Sequence, residues 1–282
     1  MRVGLLANLR ALLPARFGQR PPLWAPEFPF LLLWSHKAAS TALAQWFFAQ
    51  IGSPQLRDGG PDAAARYAGL GIHAYQFGVY CQRPGYRFNC RRALAAGGPV
   101  IKFVRDPAAR AFSAFLATRR GVVLERPDFW GARVSRQVLA WKGVQDVAAP
   151  YSFADFVAWM AVTPVGRQNP HVRAQWMDVE RGREIEIVPI EGLLPRLADL
   201  ERRFGLPAVS ARVELLASGH HRPRSALADA STLDALLHGP VAPGAFDRHA
   251  PPVVDSASLR GSTIGEQLRV ALAPDYRAYP LY

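Results

Sequence analysis

The chain is poor in cysteine and in long apolar stretches, and each shortage excludes a class of protein. Cys81 and Cys90 are the only cysteines. Their spacing does not match a zinc site, and we predict two unpaired thiols. The alternative is a disulfide that closes a small loop between them. No stretch approaches the roughly 20 apolar residues that span a bilayer. The apolar core at the N-terminus is too short for a signal peptide and meets Arg10 early. We therefore predict a cytoplasmic protein without a transmembrane segment.

Negative charge is scarce as well. The chain has 34 Lys and Arg against 22 Asp and Glu, a formal net charge of +12. Such a balance indicates an anionic ligand or partner. The excess is spread along the chain rather than gathered into a basic run, which argues against a dedicated nucleic-acid arm. We predict that the partner is not a nucleic acid.

Short apolar runs alternate with segments of helical periodicity. The runs predict strands at 28–34, 99–105 and 184–190. The periodic segments predict helices at 42–51, 108–120, 151–162, 193–204 and 262–273. Strands that alternate with helices predict an α/β fold, with a parallel sheet covered on both faces.

Two regions lack this regularity. Residues 218–262 have little hydrophobic periodicity and many Pro, Gly, His and Arg, which predicts a long loop or lid. Residues 1–27 are interpreted as a leader and an extended lead-in. Their first 20 residues have the pattern of a small basic amphipathic helix, so weak contact with a membrane surface is an alternative for this segment. A single domain over 28–282 follows, since no internal repeat or second core-sized segment is present.

Because lysine is scarce, the position of Lys37, one of three lysines, is informative. It lies in a polar turn between the first predicted strand and its helix. Ser40 and Thr41 fall at the helix start, where free backbone N–H groups and the helix dipole favour an anion. The turn is therefore built like a phosphate cradle, although an ordinary turn with a solvated lysine explains the pattern equally well. No glycine lies between residues 19 and 51, which argues against the Walker A loop of an ATPase or GTPase.

A second cluster of the same kind follows the second predicted strand, in the segment from Arg105 to Ser113. An arginine fork and a hydroxyl suit a second phosphate, because guanidinium binds phosphate through two parallel hydrogen bonds. Asp106 and Pro107 suit the cap and first turn of the next helix. The alternative is that Arg105 pairs with a nearby carboxylate and that Ser113 only fills space.

Taken together, the two segments resemble the sulfotransferases that use 3′-phosphoadenosine 5′-phosphosulfate (PAPS), most closely the carbohydrate-type, sulfotransferase family 2-like branch. The first matching motif is Lys37, Ala38, Ala39, Ser40 and Thr41; the second is Arg105, Asp106, Pro107, Arg110 and Ser113. Weaker similarity covers His171 to Gln175, Ile190 and Glu191, Asp275 and Tyr276, and Tyr282. Two departures stand out: His36 replaces a common proline, and Ala39 or Ser40 replaces a common glycine.

The resemblance implies a P-loop-like three-layer α/β/α fold with a central parallel sheet and PAPS as donor, without a metal. It implies that the Lys37–Thr41 motif binds the 5′-phosphosulfate and that Arg105 and Ser113 bind the 3′-phosphate. Lys37 would also be catalytic. The acceptor would be a hydroxyl, by the same resemblance one on a carbohydrate or glycoconjugate.

Transfer to a hydroxyl also requires a base with a pKa near neutrality, so histidine is the leading candidate. By resemblance His73 is the first choice and His171 the alternative. Two other readings remain open: a small nucleotide kinase, and a non-catalytic protein that binds anions or glycans.

Overall fold

The computed structural model describes four stretches of the chain: residues 20–52, 71–212, 228–247 and 254–282. Within them lie three strands: β1 (Leu31–Leu33), β2 (Val100–Val104) and β3 (Glu186–Pro189). The α-helices there are α1 (Ser40–Gln50), α2 (Ile72–Gly78), α3 (Tyr86–Ala95), α4 (Pro107–Thr118), α5 (Val122–Glu125), α6 (Trp130–Trp141), α7 (Phe153–Val162), α8 (Leu193–Phe204), α9 (Ala230–His238), α10 (Ser256–Arg260), α11 (Thr263–Ala271) and α12 (Ala273–Ala278). None of these helices is long and apolar enough to cross a membrane.

The three strands form one parallel sheet in the order β1-β2-β3. Leu31 pairs with Val100, and Ile101 pairs with Glu186. Every residue of β1 and β2 is buried, as expected for apolar strands of a covered parallel sheet. The predicted α/β class with a parallel sheet is therefore confirmed.

The chain divides into two compact units. The first comprises Met1–Val104 and Met177–Ser218, and it contains the sheet with helices α1 to α3 and α8. The second comprises Arg105–Trp176 and Gly219–Tyr282, and its described residues form helices α4 to α7 and α9 to α12. The boundary between leader and domain stays a prediction.

The core of the first unit is aromatic. Phe28 packs edge-on against Phe47 with ring centroids 5.0 Å apart, and Phe48 packs likewise against Tyr80 at 4.9 Å. Within the predicted lead-in, Leu23 is fully buried and forms an antiparallel bridge with Leu32.

A buried carboxylate joins two helices of this unit. Glu201 on α8 accepts hydrogen bonds from the Trp46 indole at 2.7 Å and the Gln50 amide at 3.0 Å, both on α1. It also accepts from the backbone N–H and hydroxyl of Ser210. Such a shared acceptor holds α1, the helix that follows the Lys37 turn, in a single orientation.

The second unit is helical around its own core, which includes Phe115, Tyr151, Phe153, Phe156 and Leu268. The predicted cap residues act as expected there. Asp106 accepts a hydrogen bond from the Ala109 N–H at 2.9 Å, and Ser152 forms a reciprocal capping box with Asp155.

Strands and helices lie where the hydrophobic patterns predict them, with ends that shift by a few residues. One prediction is wrong in part: the supposed loop at 218–262 contains helices α9 and α10. Asp229 and Asp255 cap their N-termini, and Leu236, Leu237 and Leu259 are buried in the core of the second unit. Residues 213–227 and 248–253 of that region lie outside the described residues. The hydrophobic pattern also gave no prediction for α3 and α6.

Candidate functional site

The Lys37 turn has an unusual backbone. Lys37 and Ala39 have positive φ angles of 66° and 52°, and they are the only non-glycine residues with positive φ in the described part of the chain. L-residues rarely adopt this conformation, which costs about 1–2 kcal/mol per residue, and such outliers concentrate at functional sites. The turn is closed by a hydrogen bond from Ala38 N–H to the Ser35 carbonyl at 3.2 Å.

Helix α1 begins directly after this turn. Its N-cap residue is Ala39, whose methyl group accepts no hydrogen bond, and its first turn contains no acidic residue. Ser40 and Thr41 occupy the first two helical positions, and both are half-buried. The N–H groups of this turn and the positive end of the helix dipole are therefore not offset by a cap or a carboxylate of the helix itself.

The structure brings His73 to this turn. Nε2 of His73 lies 2.9 Å from the hydroxyl oxygen of Thr41, across 32 residues of sequence. Helix α2, which begins at Ile72, buries Tyr75 and so directs His73 toward α1. The two residues that the sequence predicts as part of one site are thus in direct contact within the first unit.

The other imidazole nitrogen of His73 contacts a residue that sequence reasoning missed. Nδ1 lies 3.2 Å from Oε1 of Gln76, which is 1% exposed. Because an amide oxygen only accepts, Nδ1 donates to Gln76 in this arrangement, and Nε2 makes the contact with the Thr41 hydroxyl. The spacing of three residues on a helix was the available signal, since side chains at i and i+3 share a face. Gln76 therefore orients the imidazole ring and leaves Nε2 directed at Thr41, which is the geometry of a positioned base.

The second predicted cluster belongs to the second unit. Arg105 follows β2 directly, and its backbone is held on both sides by one side chain: the Arg105 N–H donates to Gln175 Oε1 at 3.0 Å, and Gln175 Nε2 donates to the Arg105 carbonyl at 2.7 Å. Ser113 is half-buried in the second turn of α4. The weakly matching segment His171–Gln175 therefore has a definite structural role, which is to fix the conformation at Arg105.

Asp106 pairs with a cation distant in sequence. Its Oδ1 caps helix α4, and its Oδ2 forms an ion pair with Arg260 on α10. This buried carboxylate therefore links the start of α4 to Arg260 on α10.

Arg110 matches the second motif but has a structural role. It is fully buried and donates to backbone carbonyls, at 2.8 Å to Arg173 and at 3.4 to 3.5 Å to Val172, Pro170 and His171. Burial lowers the pKa of its guanidinium to about 10, and the nearby Asp275 carboxylate partly offsets that shift. Arg110 therefore holds the 170–173 segment.

The other histidines are engaged elsewhere or are not described. His171 stacks on Trp130 with ring centroids 4.2 Å apart, and its Nδ1 lies 2.9 Å from Asn169 Oδ1. His36 packs edge-on against Trp34 at 5.0 Å. His220, His221 and His249 lie outside the described residues.

The two cysteines are buried free thiols. Burial raises the pKa of Cys81 to about 11 and that of Cys90 to about 12. Both are therefore protonated near neutral pH and poor nucleophiles. Among the described residues, no three His, Cys, Asp or Glu side chains are grouped so that they could hold a metal ion.

Comparisons of the chain with protein-family models, with curated proteins and with solved structures found no match.

Proposed function

We propose that the chain is a PAPS-dependent sulfotransferase that transfers a sulfuryl group to a hydroxyl, with a carbohydrate or glycoconjugate as the acceptor. The observation that carries the proposal is the 2.9 Å contact between His73 Nε2 and the Thr41 hydroxyl. It joins a candidate base to a lysine-bearing turn at a helix N-terminus. Those are the two kinds of group that sulfuryl transfer requires: a cationic site for the leaving phosphate and an acceptor for a proton.

In this proposal the 5′-phosphosulfate lies at the Lys37–Thr41 turn. The ammonium of Lys37 and the N–H groups at the start of α1 stabilise the charge that develops on the leaving phosphate. The bond between sulfur and the phosphate oxygen breaks while a bond from sulfur to the acceptor oxygen forms. The hydroxyl proton passes to Nε2 of His73, while Nδ1 keeps its hydrogen bond to Gln76.

The 3′-phosphate of the donor is assigned to Arg105 and Ser113. Support comes from Gln175, which fixes the backbone of Arg105 from both sides. It also comes from Arg260, because its ion pair with Asp106 offsets the negative charge of the carboxylate next to Arg105 in sequence. A guanidinium on an ordered backbone loses little freedom when it binds a phosphate, which favours affinity.

The proposal also implies a finer fold assignment. The three parallel strands would belong to a P-loop-like three-layer α/β/α domain, with the turn after β1 in the place of the phosphate loop. Ala39 would stand where such turns commonly have glycine. Its left-handed backbone is the conformation that glycine adopts most readily, which supports this correspondence.

Calorimetric titration of the full chain with adenosine 3′,5′-bisphosphate, the product of the donor, tests the proposal. We expect binding in the wild type. Arg105→Ala should weaken it by about 1.5–3 kcal/mol, since a charged hydrogen bond is lost, and Ser113→Ala by about 1 kcal/mol.

Arg120→Ala is the matched control, because Arg120 is an exposed arginine just beyond the end of the same helix. Its affinity should equal that of the wild type. Absence of binding to the wild type, or unchanged affinity in both the Arg105 and Ser113 variants, would refute the assignment.

A further inference from the structure

Three side chains of the first unit are arranged in series: Thr41, His73 and Gln76. The Thr41 hydroxyl oxygen lies 2.9 Å from Nε2 of His73, and Nδ1 of the same ring lies 3.2 Å from Oε1 of Gln76. A neutral ring with its proton on Nδ1 donates to Gln76 and accepts from Thr41. A hydroxyl, a base in contact with it and a third group that orients the base form the arrangement of an activated nucleophile.

Burial in this series increases from the hydroxyl to the amide. Thr41 and His73 are half-buried, whereas Gln76 is 1% exposed. The His73 ring also stacks on Phe77 with ring centroids 6.0 Å apart. This gradient suits a nucleophile, because the attacking oxygen must meet a substrate while packed neighbours keep its base in one orientation.

The backbone around Thr41 supplies donors for a developing negative charge. The first hydrogen bond of α1 runs from the Leu43 N–H to the Ala39 carbonyl at 3.0 Å. The N–H groups of Ser40, Thr41 and Ala42 therefore have no acceptor within the helix. N–H groups at a helix N-terminus stabilise the oxyanion of a tetrahedral intermediate. The hydroxyl and the donors that its reaction requires thus lie in one helical turn.

We propose that Thr41 is the nucleophile of a second activity, the transfer of an acyl group from a carboxylic ester to water. His73 is the general base, and Gln76 is a positioning residue that holds the imidazole. No step of this activity uses PAPS. The inference therefore does not depend on the proposed sulfuryl transfer, and the failure of either proposal would leave the other unaffected.

The reaction has two halves that share one base. In the first, Oγ1 of Thr41 bonds to the carbonyl carbon while its proton passes to Nε2 of His73. The bond from that carbon to the alcohol oxygen then breaks, and the alcohol leaves with the proton. In the second, a water molecule attacks the acyl-threonine and gives a proton to Nε2. The bond to Oγ1 breaks, the proton returns to Thr41, and the carboxylic acid leaves.

Covalent labelling of the full chain with an alkyl fluorophosphonate tests the proposal. A bond from Oγ1 to phosphorus forms, the bond from phosphorus to fluorine breaks, and the hydroxyl proton passes to His73. Mass spectrometry of peptides should locate the adduct on Thr41. Thr41→Val should abolish it, and Thr41→Ser should keep it, because serine retains the hydroxyl. His73→Ala should slow labelling on the order of 10² to 10⁴, the usual contribution of a general base.

Gln76 is tested by loss and rescue. Gln76→Leu removes the acceptor for Nδ1 and should slow labelling on the order of 10², because the base loses its orientation. Gln76→Glu keeps an acceptor oxygen and should restore labelling at high pH, where the imidazole is neutral. A residue that only packed in the core would not separate these two variants.

Thr232→Val is the matched control. Thr232 is a half-buried threonine in the first turn of α9, and its N–H donates to the Asp229 cap at 2.7 Å. It should receive no adduct, and its variant should be labelled on Thr41 like the wild type. Circular dichroism should show that all variants are folded.

Release of nitrophenolate from p-nitrophenyl acetate tests the acyl step itself, and we expect the wild type to release it and Thr41→Val to lose that activity. Absence of the fluorophosphonate adduct from Thr41 would overturn the proposal. So would labelling of Thr41 at a rate that His73→Ala leaves unchanged. Nitrophenolate release that is the same in the wild type and in Thr41→Val would also overturn it, since the nucleophile would then lie elsewhere in the chain.

Discussion

Polar groups that are partly or fully buried are arranged differently in the two units of this chain. In the first unit, the half-buried His73 contacts both the half-buried Thr41 hydroxyl and the buried Gln76 amide, next to a turn with two left-handed residues. In the second unit, the buried Arg110 and Arg119 donate mainly to backbone carbonyls. The first arrangement leaves reactive atoms next to a helix N-terminus, whereas the second uses cations to order loops.

Motif matching does not reveal this difference. Arg110 belongs to a matching motif as clearly as Arg105 does, yet its guanidinium is used within the protein. Arg119, which belongs to no motif, is used in the same way: it donates to the Ala149 and Val241 carbonyls and stacks on the Tyr151 ring at 3.8 Å. The lesson is that a basic residue in a motif supports a ligand site only where its side chain is not needed by the fold.

The strongest test of the comparison is Lys37→Ala. We expect turnover to fall on the order of 10² to 10³, because the leaving phosphate loses its nearest cation. The measurement is transfer of labelled sulfate from PAPS to a mixture of glycans. Lys142→Ala is the control, since Lys142 is a lysine of the second unit that pairs with Asp155 at 2.6 Å. Near-normal turnover of the Lys37 variant would show that the turn is not the sulfate end of the site.

The second unit should respond to Arg110→Met with lost stability. Removal of the guanidinium leaves several buried carbonyls without their donor, and we expect a loss of about 2–4 kcal/mol in the free energy of unfolding. Urea denaturation measures it. Arg136→Met is the control, because Arg136 is exposed and donates to the Pro127 carbonyl at 2.6 Å. A change in donor affinity without a change in stability would instead place Arg110 in the binding site.

The contact between His73 and Gln76 predicts a shift in the pH dependence of turnover. The wild-type rate should rise with pH as the imidazole loses its proton. Gln76→Glu places a carboxylate beside Nδ1, which stabilises the imidazolium and should move the rise to higher pH by about one unit. His73→Ala should abolish the rise and leave donor affinity almost intact.

Gln82→Glu serves as the control for this shift, since Gln82 is exposed and its side-chain amide donates to the Phe77 carbonyl at 2.8 Å. A pH profile that His171→Ala loses and His73→Ala keeps would move the base to the second unit.

The smallest effect concerns the backbone of the turn. Ala39→Gly removes the strain of an alanine with left-handed backbone, but it also increases the conformational entropy of the unfolded chain. Because these effects oppose each other, we expect a gain in stability of less than about 1 kcal/mol. Ala38→Gly, next to it and fully buried without a positive φ, should destabilise by about 0.5–1 kcal/mol. Thermal denaturation compares the two. A larger loss for Ala39→Gly than for Ala38→Gly would contradict the strain argument.

Much of the fold followed from local patterns. The apolar runs became β1 to β3, and Asp106 and Ser152 capped the helices that they precede. These features depend on neighbouring residues, on hydrophobic periodicity and on the hydrogen bonds of a single helix turn. Helices α9 and α10 escaped prediction because they are short and the Pro, Gly, His and Arg around them obscured their aspartate caps and buried leucines.

The sequence by itself determined the α/β order of elements and the two basic turns, because spacing and residue type act over a few residues. Only the tertiary structure decided that His73 contacts Thr41, that Gln76 holds its other nitrogen and that Arg110 is buried within the protein. Those facts depend on which side chains the packing of separate helices brings within hydrogen-bond distance. No local pattern encodes that distance, because it results from how the whole core of a unit fills space.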